Sequence, residues 1–311
     1  MKNYFEGWYF KIVDKEEKNI YAIIPGISFG NDGTTQAFIQ FFDGINVNMD
    51  FFTFEASKFS YSKEEFDVKI ESNIFNSDGF ELDIDNGDKR INGGIKLGSL
   101  KPWPVKALAP GAMGWYRFVP FMECYHGVLS FDHTLEGSLT INGNTIDFTG
   151  GRGYLEKDYG KSFPRYYVWM QTNHFEEEGA SLMASIANIP WLGSSFDGFI
   201  GGLLYNGKIF RFTNYTGAKI TKFQMLEDKI IVHFEDKKYR LELEASKTSG
   251  VDLPSPMEGS MTGRVLESIT SKIHVRLFKL HKNAEKIIFE GTGRNAGLDI
   301  GGHVEELKEI P

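Results

Sequence analysis

Two carboxylates separated by a single residue are the feature of this sequence with the clearest chemical potential. Glu156 and Asp158 lie in the block GGRGYLEKDYGKSFPRYYVWMQTNHF at 150–175. If residues 154–159 are extended, both carboxylates share one face of a strand and Lys157 points to the other. Neighbouring carboxylates raise each other's proton affinity, and burial against aromatic rings raises it further. The pair could therefore hold an un-ionised carboxylic acid at neutral pH, whereas the alternative is a charged turn facing solvent.

The second half of this block predicts a strand with large aromatic and amide side chains on one face. In residues 164–175 the alternation places on that face Tyr167, Trp169, Gln171, Asn173 and Phe175. Such a face could line an apolar pocket with a few polar anchors, or it could be the outside of a strand covered by a loop. Trp8, in the first predicted strand, could likewise line a pocket or be an ordinary core residue.

The remaining groups that could do chemistry do not form a pattern. In FMECYHGVLS, Glu123 and His126 fall on opposite faces of a strand unless a bulge intervenes, so their roles stay open. The seven histidines show no pair at metal-ligand spacing with a supporting carboxylate, so we expect no metal site. Gly160-Lys161-Ser162 lacks the upstream glycine of a phosphate loop, and GTGRNA at 291–296 precedes no helical pattern. We therefore expect no cofactor.

The elements that must position these residues are β-strands. Residues 238–245, KYRLELEA, alternate strictly between apolar and charged side chains, and Asn142-Gly143 and Asn206-Gly207 are two-residue hairpin signals. About twenty strand-like runs joined by short turns predict an all-β protein of antiparallel barrels or sandwiches. Two stretches interrupt this rhythm and are predicted as long loops, at 99–120 and 246–262.

Length and composition limit the domain organisation and the partners. The 311 residues exceed one ordinary domain, and we expect two tandem barrels, at 1–153 and 154–311. The net charge of −8, from 34 basic and 42 acidic residues, makes nucleic acid an unlikely partner. The single Cys124 excludes an internal disulfide framework and favours a reducing, cytoplasmic location. No signal peptide and no transmembrane segment are expected.

Several motifs together resemble the tocopherol cyclase family along the whole chain. They are YFEGWYFK at 4–11, GWYRFVPFME at 114–123, YLEKDYG and FPRYYVWMQTNHF between 154 and 175, YRLELEA at 239–245 and AGLDIGG at 296–302. The resemblance implies a lipocalin-like architecture of two antiparallel β-barrels in tandem. It extends distantly to carotenoid hydratases and to certain fungal Diels–Alder cyclases. Where the plant-type motif usually reads Asn-Trp-Gly, this chain has Asp158-Tyr159-Gly160.

The resemblance also implies a reaction, the closing of a chromanol ring on a prenylated quinol. An acid protonates the alkene and the phenol oxygen captures the cation, and Asp158 and Glu156 match the acidic motif of the family. The expected substrate-binding residues, which combine motif position with suitable side chains, are Trp8, Trp115, Tyr154, Trp169, Gln171 and Asn173. The expected partner is a hydrophobic small molecule, and peripheral contact with lipid stays open. The alternatives are a non-catalytic carrier of an apolar molecule and a hydratase or pericyclase acting on a polyene.

Overall fold

The computed structural model describes residues 3–106, 109–120, 122–282 and 284–310, and these form two large antiparallel sheets. The twelve strands of the first sheet are β1 (Tyr4–Val13), β2 (Ile20–Phe29), β3 (Thr35–Asp43), β4 (Asn48–Glu55), β5 (Phe59–Tyr61), β6 (Asp67–Ile70), β7 (Asn73–Asn76), β8 (Gly79–Asp85), β9 (Arg90–Leu97), β10 (Cys124–Ile141), β11 (Asn144–Asp147) and β12 (Arg152–Gly160). Their order in the sheet is β4-β3-β2-β1-β12-β10-β9-β8-β7-β6-β5, and β11 pairs with β10. The strand β12, which carries both candidate acids, therefore lies inside the sheet between β1 and β10.

The second sheet has ten strands. They are β13 (Tyr166–Thr172), β14 (Ser181–Trp191), β15 (Ser194–Tyr205), β16 (Lys208–Thr213), β17 (Lys219–Met225), β18 (Lys229–Glu235), β19 (Tyr239–Ser246), β20 (Val251–Met257), β21 (Ser260–His281) and β22 (Ala284–Gly302). Their order is β16-β15-β14-β13-β22-β21-β19-β18-β17, and β20 pairs with β21. Short 3-10 helices cover Ala56–Lys58, Gly114–Phe118, Asn214–Thr216 and Val304–Glu306.

The chain forms two compact units that are discontinuous in sequence. The first comprises Met1–Pro102, His126–Ser162 and Ser255–Gly263, and the second comprises Trp103–Tyr125, Phe163–Pro254 and Arg264–Pro311. The expected division into two tandem barrels, at 1–153 and 154–311, stays a prediction. The strand β12, with both candidate acids, belongs to the first unit.

Alternation along the strands gives each unit an apolar core. In the first unit Trp8, Phe10 and Ile12 of β1 and Leu155 of β12 belong to one buried cluster with aromatic side chains from β7 and β8. In the second unit the alternation predicted at 238–245 is confirmed, because the alternate residues of β19 and β21 pack together in its core. Those with 0 or 1% exposure are Leu241, Leu243, Ala245, Ile273, Val275 and Leu277.

Both predicted Asn-Gly hairpin turns are confirmed, and one loop prediction is wrong. Asn142 and Asn206 have positive φ angles and are each followed by a positive-φ glycine, as a tight hairpin turn requires. The loop predicted at 246–262 is instead a hairpin of β20 and β21. Prolines misled the prediction, since Pro254 and Pro256 lie in a strand whose one partner among the described strands is β21, and such an edge strand tolerates proline.

The all-β fold class is confirmed, with two antiparallel sheets as its principal elements. Among the described residues, no helix has the length and apolar character needed to cross a membrane.

Candidate active site

The register of β12 against β1 fixes which face each candidate acid occupies. Glu156 pairs with Tyr9 and Asp158 pairs with Gly7, so both carboxylates are on one face, as predicted. Lys157 pairs with Trp8 on the other face, where its ammonium lies 4.7 Å from the indole ring centre. Because Trp8 belongs to the apolar core of the unit, the acids face away from that core.

A histidine from the neighbouring strand β10 joins the two carboxylates. His126 Nδ1 lies 2.9 Å from Asp158 Oδ1, and Nε2 of the same ring lies 3.6 Å from Glu156 Oε2. Tyr154, two residues before Glu156 on the same face, donates its hydroxyl hydrogen bond to Glu156 Oε2 at 2.6 Å. These four residues form a cluster, here called the acid cluster, in which Tyr154 and Glu156 are buried and His126 and Asp158 are half-buried, with 14 and 23% of their side chains exposed.

The electrostatics of this acid cluster favour a proton on the imidazole. Burial alone would lower the pKa of His126, but the charges of Asp158 and Glu156 and the hydrogen bond that the ring donates to Asp158 outweigh it and raise the pKa to about 9. Burial and the adjacent Glu156 raise the pKa of Tyr154 well above its usual value, so that hydroxyl stays a hydrogen-bond donor. At neutral pH the cluster therefore retains a proton on His126, and the neutral carboxylic acid expected from sequence stays a prediction.

The residue types in the cluster would also suit a divalent metal, but their orientation favours a proton. A ligand atom from each of His126, Glu156 and Asp158 lies within 4.8 Å of the others. The ring, however, directs Nδ1 at Asp158 and Nε2 at Glu156. A single ion binds one ring nitrogen, so it could not lie between that ring and both carboxylates without rearrangement. An imidazolium, which donates a hydrogen bond from Nδ1 to Asp158 and carries a positive charge 3.6 Å from Glu156 Oε2, suits this arrangement directly.

Of the predicted substrate-binding residues in the first unit, only Tyr154 is in the acid cluster. Trp8 lies across the sheet from it and stacks on Phe66 with ring centres 5.3 Å apart. The role predicted for Trp8 stays a prediction, but its position is in the apolar core.

The other predicted residues belong to the second unit. Trp169 and Gln171 share one face of β13, opposite Val168 and Met170, which pack in the core. The strand ends at Thr172, so Asn173 follows it and does not continue the predicted alternation, although it is buried. Trp115, in the 3-10 helix Gly114–Phe118, is 42% exposed at the surface.

Sequence reasoning missed His126 as a partner of the acids. It precedes Asp158 by 32 residues, and only the pairing of β10 with β12 brings the two together. A second omission is Asp299 of β22, a buried carboxylate that accepts a 2.6 Å hydrogen bond from the hydroxyl of Tyr167. The available signal was its place in the AGLDIGG motif. Glu123, considered with His126, precedes β10 and belongs to the second unit.

The chain matches a known family over the segment that contains the acid cluster. The model of the tocopherol cyclase-like family matches residues 95–302, two thirds of the chain, and the protein belongs to this family. The matched segment contains His126, Glu156 and Asp158 and excludes Trp8.

Two curated plant proteins are similar to this chain. The chloroplastic tocopherol cyclase of Zea mays is 26% identical over 208 residues, which cover 64% of this chain and 43% of the maize protein. A probable chloroplastic tocopherol cyclase of Oryza sativa subsp. japonica is 24% identical over 200 residues, 61% of this chain and 42% of the rice protein. The matched segment thus spans less than half the length of these relatives.

Solved structures support the fold. CghA in complex with Sch210972 superposes with a TM-score of 0.58 at 10% identity, covering 96% of this chain and 88% of that chain. A putative AttH from Nitrosomonas europaea gives a TM-score of 0.56 at 14% identity, covering 96% and 93%. These similarities show that the chain shares its fold with the two solved structures.

Proposed function

We propose that the protein is a cyclase-type isomerase, which closes a chromanol-type ring on a prenylated quinol or a related isoprenoid by protonating an alkene. The observation that carries this proposal is the acid cluster, in which a half-buried histidine holds a proton between two carboxylates. Membership of the tocopherol cyclase-like family supports the reaction class. The names of the maize and rice relatives support the substrate class.

Asp158 is the proposed proton donor to the substrate. Its carboxyl is the more exposed of the two, whereas Glu156 is tied to Tyr154. When an apolar substrate displaces water, the ion pair of His126 and Asp158 loses solvation, and a neutral imidazole beside a neutral carboxylic acid becomes favoured. The proton then moves along the 2.9 Å hydrogen bond from Nδ1 to Oδ1, and from there to the alkene.

The remaining steps return the acid cluster to its starting state. Protonation of a trisubstituted alkene leaves a tertiary cation, which the quinol oxygen captures to form the ring C–O bond. The hydroxyl proton released by that oxygen goes to the carboxylate of Asp158 and back to His126. Substrate and product are isomers, so the reaction consumes no oxidant, reductant or water. The proposed role of Glu156 is to keep the imidazolium charged through its own negative charge.

Product mass separates this reaction from the alternatives. Purified protein is incubated with a prenylated benzoquinol in D₂O. We expect an isomer of the substrate with an altered retention time, and this product should carry one deuterium bound to carbon. A hydratase would add the mass of one water, and a carrier would bind the quinol stoichiometrically without converting it. Failure to convert any prenylated quinol would contradict the proposed function.

Two substitutions test the acid cluster itself. Asp158→Asn should reduce kcat by about 10²- to 10⁴-fold, the usual contribution of a positioned acid. Glu81→Gln, which removes one negative charge from an exposed position on β8, is the matched control and should retain full activity. Full activity of Asp158→Asn with an unchanged circular dichroism spectrum would remove Asp158 from the mechanism.

Contact with a lipid surface is a further part of this proposal, because an isoprenoid quinol partitions into membranes. The second unit has an exposed apolar surface, here called the aromatic surface, formed by Trp115, Phe118 and Leu192 at 42, 65 and 82% exposure. Trp191, the sequence neighbour of Leu192, has its ring centre 6.0 Å from that of Trp115. Tryptophan at the edge of an apolar patch, with Arg117 beside it, suits the boundary between lipid headgroups and acyl chains. A cytoplasmic location is likewise proposed, although the two plant relatives are named as chloroplastic.

A further inference from the structure

An unfilled position lies directly beside Asp158 on the face of the sheet that carries the acid cluster. This position is Gly7, the cross-strand partner of Asp158. Side chains at such paired positions have Cβ atoms about 5 Å apart. Among the described residues, a Cβ built on Gly7 would meet within 4 Å only the carbonyl oxygen of Pro25 at 3.6 Å and Cγ2 of Ile24 at 3.8 Å. The φ angle of Gly7 is also accessible to other residues, so backbone geometry does not require glycine there.

Aromatic side chains border this position along β1. Phe5 and Tyr9 lie two residues before and after Gly7, and the alternation of the strand places them on the same face. Both are buried, with 3 and 8% exposure. Each is about 6.8 Å from Gly7 along the strand, so the interval between them is wide enough for a branched alkene.

A third aromatic ring borders the position from the opposite side to Asp158. Gly26 of β2 pairs with Gly7, and Phe38 of β3 pairs with Gly26, so all three share the face of Asp158. The ring of Phe38 folds over Gly26, because a Cβ built there would lie 2.4 Å from its Cζ atom. Phe51 of β4 holds this ring by stacking on it, with centres 5.6 Å apart and an 18° interplanar angle.

These residues form a cup, defined by Gly7 as its floor, Asp158 as one wall and Phe5, Tyr9 and Phe38 as the others. We propose that this cup binds the trisubstituted alkene of the prenyl unit that is attached to the quinol ring, an inference that rests on the proposed function. The proton on Asp158 forms a new C–H bond with one alkene carbon, and the π electrons leave the other carbon as a tertiary cation. The aromatic faces lie around that cation and stabilise it until the quinol oxygen bonds to it.

The cup also accounts for a glycine at position 7. A Cβ atom at this position would lie beside Asp158 without a clash in the fold, since the nearest atoms are at ordinary contact distances. Glycine is required there by the ligand and not by the backbone. Gly26 differs, because the ring of Phe38 already occupies the space above it.

Filling the cup is the direct test. Gly7→Ala should lower kcat/KM for a prenylated benzoquinol about 10-fold, and Gly7→Leu should abolish turnover, while the melting temperature changes little. The control is Gly127→Ala, on the face of β10 opposite His126, where an added methyl meets no atom of the described residues within 4 Å. It should retain the activity of the unmodified protein.

A binding measurement distinguishes failure of the cup from failure of the proposed function. Equilibrium dialysis with an unreactive quinol analogue, saturated at the alkene nearest the quinol ring, should show at least 10-fold weaker binding to Gly7→Leu than to Gly127→Ala. If the unmodified protein converts no quinol, the proposed function fails. The binding difference between the two variants then tests on its own whether the cup binds the prenyl chain. Equal binding to the two variants, or full turnover by Gly7→Leu, would overturn the cup.

Phe38→Leu separates stabilisation of the cation from simple filling of space. A cation–π contact is worth about 0.5–2 kcal/mol, so kcat should fall about 2- to 30-fold. KM should change little, because the positive charge exists only during the reaction. A rise in KM with unchanged kcat would assign Phe38 to ground-state binding and contradict its role toward the cation.

Discussion

Protonation of His126 should make the free energy of unfolding depend on pH. Replacement of His126 should remove this contribution to the pH dependence. The two carboxylates raise its pKa from 6.5 to about 9 against the opposing effect of burial. Between these values the folded state binds a proton that the unfolded state has released, so stability falls as pH rises. The contribution is fully present below pH 6.5 and is lost as pH rises through about 9. At roughly 1.36 kcal/mol per pKa unit, its size is about 3 kcal/mol.

The assay compares urea unfolding of the unmodified protein and of His126→Gln at intervals between pH 6 and pH 10, followed by tryptophan fluorescence. Titrations elsewhere in the chain cancel in the difference between the two proteins. We expect the stability advantage of the unmodified protein to decrease by about 3 kcal/mol across this range, with most of the change between pH 6.5 and 9. A difference that stays constant with pH would refute the charged imidazole and, with it, the proton-holding role of the cluster.

NMR titration of labelled histidine provides the same test at residue level, with an internal control. His133 is also buried, and burial, which the charge of Asp132 only partly opposes, lowers its pKa to about 4. The two histidines should therefore titrate far apart, His126 staying charged to pH 8 and His133 neutral down to pH 5. In a variant that combines Asp158→Asn with Glu156→Gln, burial is the main remaining influence and the pKa of His126 should fall below 6.5.

Three further substitutions have expected outcomes. Tyr154→Phe removes the 2.6 Å hydrogen bond to Glu156 and should cost about 1–3 kcal/mol in urea unfolding, with a melting temperature equal to that of the unmodified protein contradicting the bond. Asp132→Asn breaks a buried carboxylate's ion pair with Arg152 and should cost about 3–5 kcal/mol, whereas a loss below 1 kcal/mol would show that the pair is not structural. Leu192→Asp should abolish co-sedimentation with anionic phospholipid vesicles. The control Ile45→Asp, at an exposed position of the first unit, should not change it. Equal binding by the two variants would show that the aromatic surface does not contact the lipid.

The fold was predictable because its determinants are local. Alternation with period two identified β19 and the Asn-Gly pairs identified two hairpins, since each signal depends on neighbouring residues. The same logic correctly placed Glu156 and Asp158 on one face. It failed at 246–262, where Pro254 and Pro256 read as a loop although an edge strand tolerates them.

The composition of the acid cluster was not predictable from one sequence, because it depends on which strands become neighbours. His126 meets Asp158 only through the pairing of β10 with β12, and the intervening chain contains no signal for that pairing. The location of the resting proton depends on the same contact. The spacing of Glu156 and Asp158 identified the two acids. His126, however, comes from β10, and the sequence alone does not show that β10 pairs with β12.

The position of β12 in the interior of its sheet has a consequence for how this protein can diversify. Both of its edges are engaged in hydrogen-bonded ladders with β1 and β10, so the reacting groups are carried by rigid backbone and not by connecting loops. Insertions in the turns should therefore leave the chemistry intact. New substrate preferences would instead arise through exchanges at single positions on the adjoining strands β1 to β3, with Gly7 as the most sensitive of them.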